Sequence, residues 1–395
     1  MIVQKYKDML SGKSVIRQLS EFATARGAEI GYENVFDYSL GNPSVPVPKE
    51  FTDRMIHMLA TQEPNVLHGY SPSLGITSVR EAIAASLSER FGLPYTAEHI
   101  FMASGAAGAL AHAFRLVTEP GDEILTFAPF FPEYNPYVNL TGAVLKIVPP
   151  NTADFQINFE AFEEMLNEKT MAVLINTPNN PSGIVYSKET IERLAETLRK
   201  KSAEYGHDIF IISDEPYREI VFEGVDAPCV SAFYDNTIMC YSFSKSLSLP
   251  GERIGYVCVP DNVDDAADVY AAVAGAARAM GHVCPPTLMQ LVIERCADEM
   301  PDLAAYDDNR TLLYNALTEM GYECAKPDGA FYLFVKAPNG DAVDFSQKAK
   351  LEHNLLVVPG DGFGCPGFMR LSYCVSGDMI RRSLPAFKAM IESYR

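Results

Sequence analysis

The sequence predicts an α/β protein in which a mostly parallel, doubly wound sheet forms a large domain and a smaller α+β domain follows it. Three observations predict this. From about residue 100, short β-branched or apolar runs alternate with longer helical patterns. Polar residues collect immediately after those runs, and from about residue 290 the pattern changes to mixed helices and strands. A chain of 395 residues suits two or three domains at roughly 150 residues each. The large domain is expected over 48–285, and the smaller one over 286–395 together with 1–47.

In chain order, SLGNPSVPVP at 39–48 reads as a rigid, extended linker, because each proline fixes φ and lacks an N–H to donate. IFMAS followed by GALAHAFRLV is a strand feeding a helix. EILTF is a strand leading into a proline-rich aromatic segment, and AVLKIV and MAVLIN are further apolar runs of strand length. SKETIERLAETLRKKSAEY spaces its apolar residues for one face of a helix; DIFIIS, TIMCYS and IGYVCV then complete the sheet. Near-continuous apolar strands between amphipathic helices are the pattern of a parallel sheet covered on both faces. Beyond them NRTLLYNALTEM reads as a helix, GAFYLFVKA, LLVVPG and FMRLSYCV as strands, and a last helix closes the chain. No internal repeat is present.

With 48% hydrophobic and 21% charged residues the composition is that of an ordinary globular protein. The 32 Lys and Arg against 51 Asp and Glu leave a net charge of −19, which repels phosphate backbones and anionic lipid surfaces. Nucleic acid and membrane partners are therefore not expected. The eight cysteines, at 229, 240, 258, 284, 296, 324, 365 and 374, form no CxxC pair, and several sit in apolar runs. They read as reduced thiols, with no metal and no disulfide. The start of the chain lacks the apolar core of a secretory signal and no run is long enough to span a bilayer, so a cytoplasmic protein is expected.

In doubly wound sheets ligands bind beyond the carboxyl ends of the strands. There the sequence places SGAAGAL, NTPNNPSG, SDEPYRE and SFSKSLSLPGER. Small residues at 104–110 let backbone N–H groups and a helix N-terminus approach an anion, although close packing would produce the same composition. The stretch fits neither GxGxxG nor GxxxxGK[ST]. Asp214 ends an apolar strand, where a carboxylate is costly without a partner; the alternatives are a helix cap or an ion pair. Lys245 is the sole lysine between Lys201 and Lys326, and Arg253 follows it after the Pro250–Gly251 turn, its fork suited to phosphate or carboxylate. An anion cradle, a buried carboxylate and a solitary amine meet the needs of pyridoxal 5'-phosphate. That cofactor requires an amine for its aldehyde, an acid for its pyridine nitrogen and donors for its phosphate.

The motifs NTPNNPSG, SDEPY, SFSKSLSLPGERIGY, PDGAFYLF and MRLSY, in that order, resemble those of class I/II aminotransferases, fold type I pyridoxal-phosphate enzymes, nearest their aspartate-aminotransferase-like branch. The likeness runs from about residue 39 to 373. It implies that Lys245 carries the cofactor as an imine and shuttles the substrate proton, that Asp214 partners the pyridinium, and that Asn180 and Tyr217 donate to the phenolate oxygen. Ser242, Arg253 and the amides near Ala106 and Ala107 would hold the phosphate, with Phe131 stacked on the ring in a chain that has no tryptophan. Tyr70 matches a tyrosine that reaches the phosphate from a neighbouring subunit, which implies a homodimer with shared active sites. Arg370 would grip the substrate α-carboxylate, with Asn180 a further substrate-binding residue and Gly41 in the segment that closes over the substrate.

The activity so implied is ping-pong transfer of an amino group from an L-amino acid, aspartate first, to a 2-oxo acid such as 2-oxoglutarate. Arg278 resembles the distal arginine that reads a second carboxylate, at a spacing one residue longer, and Arg17 is a second candidate. Ala107 stands where the subfamily has a lysine, which keeps alanine, methionine and aromatic donors open. A carbon–sulfur β-lyase would use the same Lys245 and Asp214. A ligand-sensing regulatory protein on this fold would carry a basic DNA-binding module first, for which the lead of about 40 residues, without any basic excess, leaves no room.

Overall fold

A computed structural model of the chain describes residues 2–11, 15–300 and 302–395. Seven apolar runs form one sheet: β1 (Ile100–Ala103), β2 (Glu123–Phe127), β3 (Val144–Val148), β4 (Thr170–Asn176), β5 (Phe210–Asp214), β6 (Thr237–Ser242) and β7 (Gly255–Cys258). Their order is β1-β7-β6-β5-β4-β2-β3, and only β7 runs against the rest. The sequence-expected strands are therefore all present in a mixed α/β fold with a large, mostly parallel sheet.

Helices cover both faces. Ala113 and Phe114 of the helix Gly105–Val117 and Val273 of Ala266–Ala279 pack with Ile124, Leu174 and Ile212 on one side. Ile191, Leu194 and Leu198 of Lys188–Tyr205 pack with Val173 and Ile211 on the other. Lys188–Tyr205 begins where the Ser187 hydroxyl accepts the Thr190 N–H at 3.1 Å, and it stops at Gly206, whose φ of 77° is the left-handed conformation glycine adopts without a Cβ clash. Each aliphatic side chain so buried contributes about 1.5–3 kcal/mol.

Sheet register decides what reaches the carboxyl edge. Asn176 lies opposite Asp214, Asp214 opposite Cys240, Ser242 opposite Gly255, and Gly255 opposite Ala103. The ends of five strands therefore share one rim. Only glycine fits at 255, since a Cβ there would lie 2.2 Å from the Tyr241 carbonyl oxygen.

A second, antiparallel sheet orders β9 (Val358–Pro359), β10 (Phe368–Ser372) and β8 (Tyr332–Lys336). Its core joins Leu313, Leu317, Phe331, Leu371 and Phe387 with Tyr217, Ile220 and Phe222 from the far side of the rim. Phe36–Asp37 pairs in parallel with Leu355–Leu356, and Ser372 N–H donates to Tyr38 O at 2.9 Å, which lays the segment that follows beside β10. The proline-rich stretch then crosses between cores without regular structure: Val45 packs on the second-sheet core and Val47 on the first. The eight cysteines are free thiols, and no helix among the described residues is long and apolar enough to cross a membrane.

Candidate active site

Between the two sheets lies a cavity of about 340 Å³. Gly41, Ala106, Ala107, Phe131, Asn180, Asp214, Tyr217, Ser242, Lys245, Arg253 and Arg370 all line it, so the structure brings together in one place residues separated by more than 300 positions.

Lys245 stands on the single helical turn Phe243–Ser246, opened by the Ser242 hydroxyl accepting the Ser244 N–H at 3.1 Å. Its Nζ donates to Gly41 O at 2.6 Å and lies 5.5 Å from the Phe331 ring centroid. Burial, with Arg370 and Arg253 also nearby, lowers its pKa from 10.5 to about 8. Cys374 nearby acts in the opposite sense.

Asp214 ends β5 and is 5% exposed. Tyr134 donates its hydroxyl to Oδ2 at 2.5 Å, and Asn176 Nδ2 donates to the Asp214 backbone oxygen at 2.9 Å. Oδ1 is buried without a partner. Desolvation raises this carboxyl to about 7 against the pull of the Tyr134 hydrogen bond. A buried carboxylate oxygen left unmet is costly, and a cationic N–H placed on it would hold the group ionised.

Arg253 lies at the N-terminus of Gly105–Val117, its backbone left-handed at φ 52°, with Nη1 donating to Pro250 O at 2.9 Å. A Cβ on Gly105 would lie 2.7 Å from Nη2, so glycine there leaves room for the guanidinium beside the free N–H groups of the first turn. Ser242 and Ser244 join hydroxyls at 2.5 Å on the same rim. Together these donors suit a phosphate.

Arg370, on β10, is 2% exposed. Nη1 donates to Asn180 Oδ1 at 3.0 Å and Nη2 to Ser39 O at 2.5 Å, while Nε is buried without a partner. The guanidinium rests 4.8 Å from the Tyr332 ring centroid. Tyr332 in turn meets Tyr217 hydroxyl to hydroxyl at 2.7 Å.

Three expected site residues lie apart from this cavity. Tyr70 is 90% exposed on the loop after the helix Pro64–His68. Arg278 is exposed on the helix Ala266–Ala279 and does not line the cavity. Arg17 points outward from Val15–Ile30, 62% exposed, with its Nε 3.4 Å from Glu21. Conversely, the cavity takes in residues the sequence reading did not reach: Ile16, Tyr137, Asn176 and Tyr332 as walls, and Tyr134 behind Asp214. The one sequence signal for Tyr134 is its place three residues after Phe131 in APFFPEY.

The buried free oxygen of Asp214, the cleared cradle at Gly105 and the lowered amine of Lys245 fit pyridoxal phosphate residue by residue. The chain matches the family described as aminotransferase class I and II over residues 33–387. An aspartate aminotransferase of Thermotoga maritima is 30% identical over 395 residues, covering 96% of this chain and 100% of the relative. Among solved structures, an amino transferase from Eubacterium rectale superposes with a TM-score of 0.97 at 50% identity over 100% of both chains. The Thermotoga maritima aspartate aminotransferase structure gives 0.87 at 28% identity, over 99% of this chain and 100% of that one.

Proposed function

The chain belongs to the class I and II aminotransferases and is a transaminase, and from that premise we propose that the cavity exchanges an amino group between an L-amino acid and a 2-oxo acid with Lys245 as the reactive amine. The observation that carries this is the meeting, around one cavity, of a lysine with a depressed pKa, an aspartate with one buried oxygen free and an arginine with its Nε free.

Enzymes of this family generally depend on pyridoxal 5'-phosphate. When bound, that group supplies the electron sink that allows a substrate Cα to lose its proton. Lys245, Asp214, Asn180 and Tyr217 would hold its ring and aldehyde, Phe131 would cover the ring, and Ser242, Arg253 and the amides at 106–107 would take its phosphate. With a pKa of about 8, a useful fraction of Lys245 is neutral near pH 7 and can act as nucleophile and as base. Tyr134 fixes the Asp214 carboxylate and Asn176 the backbone oxygen of the same residue, so the charge it presents needs little reorganisation during reaction. Arg370 would bind the substrate α-carboxylate, its fork held by Asn180 and Ser39. Gly41 O, which accepts from Lys245, ties the N-terminal segment to the amine, and 1–47 with 286–395 would close on 48–285 over bound substrate.

Aspartate with 2-oxoglutarate, the pairing expected from the resemblance, needs a further cation, and neither Arg278 nor Arg17 lines the cavity. We also propose a cytoplasmic homodimer: Ile56, Leu59, Val66 and Tyr70 are all more than half exposed on adjoining segments, and a second copy covering them would bring Tyr70 to the neighbouring phosphate site.

Mixing the loaded enzyme with one amino acid and no oxo acid should change the cofactor absorbance, and adding an oxo acid should restore it. Release of pyruvate and ammonia from a cysteine-type substrate without an acceptor would instead identify the β-lyase. No absorbance change with any amino acid would end the transaminase reading of Lys245.

A further inference from the structure

Resting on the reading of Tyr217 as a donor to the cofactor's phenolate oxygen, we propose that Tyr332 is the positioning residue for that bond: its hydroxyl donates to Tyr217, fixes the direction of the Tyr217 proton and strengthens it as a donor. Tyr332 opens β8 on the second sheet and Tyr217 follows β5 on the first, 115 positions earlier, yet their hydroxyl oxygens lie 2.7 Å apart. Both side chains are buried and both line the cavity. Among the described residues each hydroxyl finds its hydrogen bond in the other.

Two facing hydroxyls carry two protons, and only one of these can lie between the oxygens. Burial pushes the Tyr332 phenol up to about 12 and raises Tyr217 well above its ordinary value, so both keep their protons near neutral pH. Once Tyr217 gives its proton to a cofactor oxygen, the bond between the phenols can run only from Tyr332 to Tyr217. The opposite direction would turn the Tyr217 proton away from the cofactor. A hydroxyl that accepts one hydrogen bond is in turn a stronger donor, by roughly 10–30% per bond.

The surroundings hold this arrangement. The Arg370 guanidinium lies 4.8 Å from the Tyr332 ring centroid, the two phenol rings meet edge-on with centroids 5.6 Å apart, and Phe331 stands edge-on to Tyr217 at 5.4 Å. A Cβ on Gly41 would collide with the Tyr332 hydroxyl, so glycine there leaves that oxygen its place. The charged and titratable groups near the two phenols are Arg370, Asp214 and Cys374, and those near Lys245 are Cys374, Arg370 and Arg253. All of them keep their identity when the Tyr332 oxygen alone is removed.

The test is a spectrophotometric pH titration of the pyridoxal-phosphate-loaded full chain without substrate. A donor on the phenolate oxygen draws charge from it and lowers the pKa of the linked Lys245 nitrogen, which the absorbance reports. Y332F should raise that pKa by roughly 0.2–0.6 of a pH unit, and Y217F by about one unit or more. Tyr332→3-fluorotyrosine, nearly the same shape but more acidic, should lower it. In a Y217F background Y332F should add nothing, because its effect passes through Tyr217. An unmoved pKa in Y332F, with Y217F raised, would overturn the proposal and leave the Tyr217 reading intact. So would a Y332F effect that persists undiminished in the Y217F background. If Y332F does not fold, the fluorotyrosine variant decides, and no downward shift there would overturn the proposal. An unmoved pKa in Y217F would end the Tyr217 reading and this proposal with it.

Discussion

Asp214 and Arg370 are both buried ionisable groups beside one cavity, yet they are held in different ways. Asp214 stands in the middle of a seven-stranded sheet, paired in register with Asn176 on one side and Cys240 on the other. Arg370 stands on a short three-stranded sheet and depends on two distant partners, Asn180 and Ser39, that meet it only when the N-terminal segment and the second sheet come together. The sheet ladder fixes the first group; tertiary closure fixes the second. The difference teaches a division of labour: losses on the rim side should fall on chemistry, and losses on the second-sheet side on binding and closure.

Removing the amine should have the largest effect. K245A should lower kcat by on the order of 10²–10⁴-fold or more, because nucleophile and proton carrier go together. Asp214→Asn should cost kcat on the order of 10²-fold, with KM little changed. It also has a signature in stability. The folded carboxyl titrates near 7 rather than 3.8, so between those values the folded state binds more protons than the unfolded chain. Cofactor-free protein should therefore lose stability as pH rises from about 4 to about 7. Thermal melts of D214N across that window should show a flatter slope, and an unchanged slope would break the rim half of the comparison.

On the other side, Arg370→Lys loses the planar fork. It should raise KM about 10- to 100-fold with a smaller change in kcat. A larger fall in kcat than rise in KM would place Arg370 with the chemistry and blur the contrast. Gly41→Ala should act through closure: the added Cβ would lie 2.1 Å from the Tyr332 hydroxyl, so the segment must shift. Steady-state rates should then show kcat and KM both altered, by about three- to tenfold. Arg278→Gln should be the mildest, within about threefold on every donor, since that side chain is exposed and lies outside the cavity wall.

The same contrast governs what the sequence discloses. Asp214 ends a strand run, Asn180 and Lys245 come a few residues past one and Arg253 just before one, so period and punctuation along the chain were enough to group them, and the strands themselves were legible as apolar runs. Tyr134 was not legible in its role, because its bond to Asp214 joins residues 80 positions apart. Tyr332 looks like one more apolar position of GAFYLF; only the fold turns its hydroxyl to Tyr217, 115 positions away. Ile16 and Arg17 are adjacent in sequence and equally available to a reader of it. The rotation of one helix decides that the hydrocarbon meets the cavity and the cation meets solvent. The reversed direction of β7 was also hidden, since a buried strand reads alike in either orientation.

The central claim is that Lys245 is the amine that takes the cofactor. It is tested most directly by borohydride reduction of the loaded enzyme, proteolysis and mass spectrometry of every lysine-containing peptide. A single pyridoxyl adduct is expected, on the peptide carrying Lys245, and none on any peptide from K245A. An adduct on a different lysine in the wild-type protein, or undiminished labelling of K245A, would contradict it.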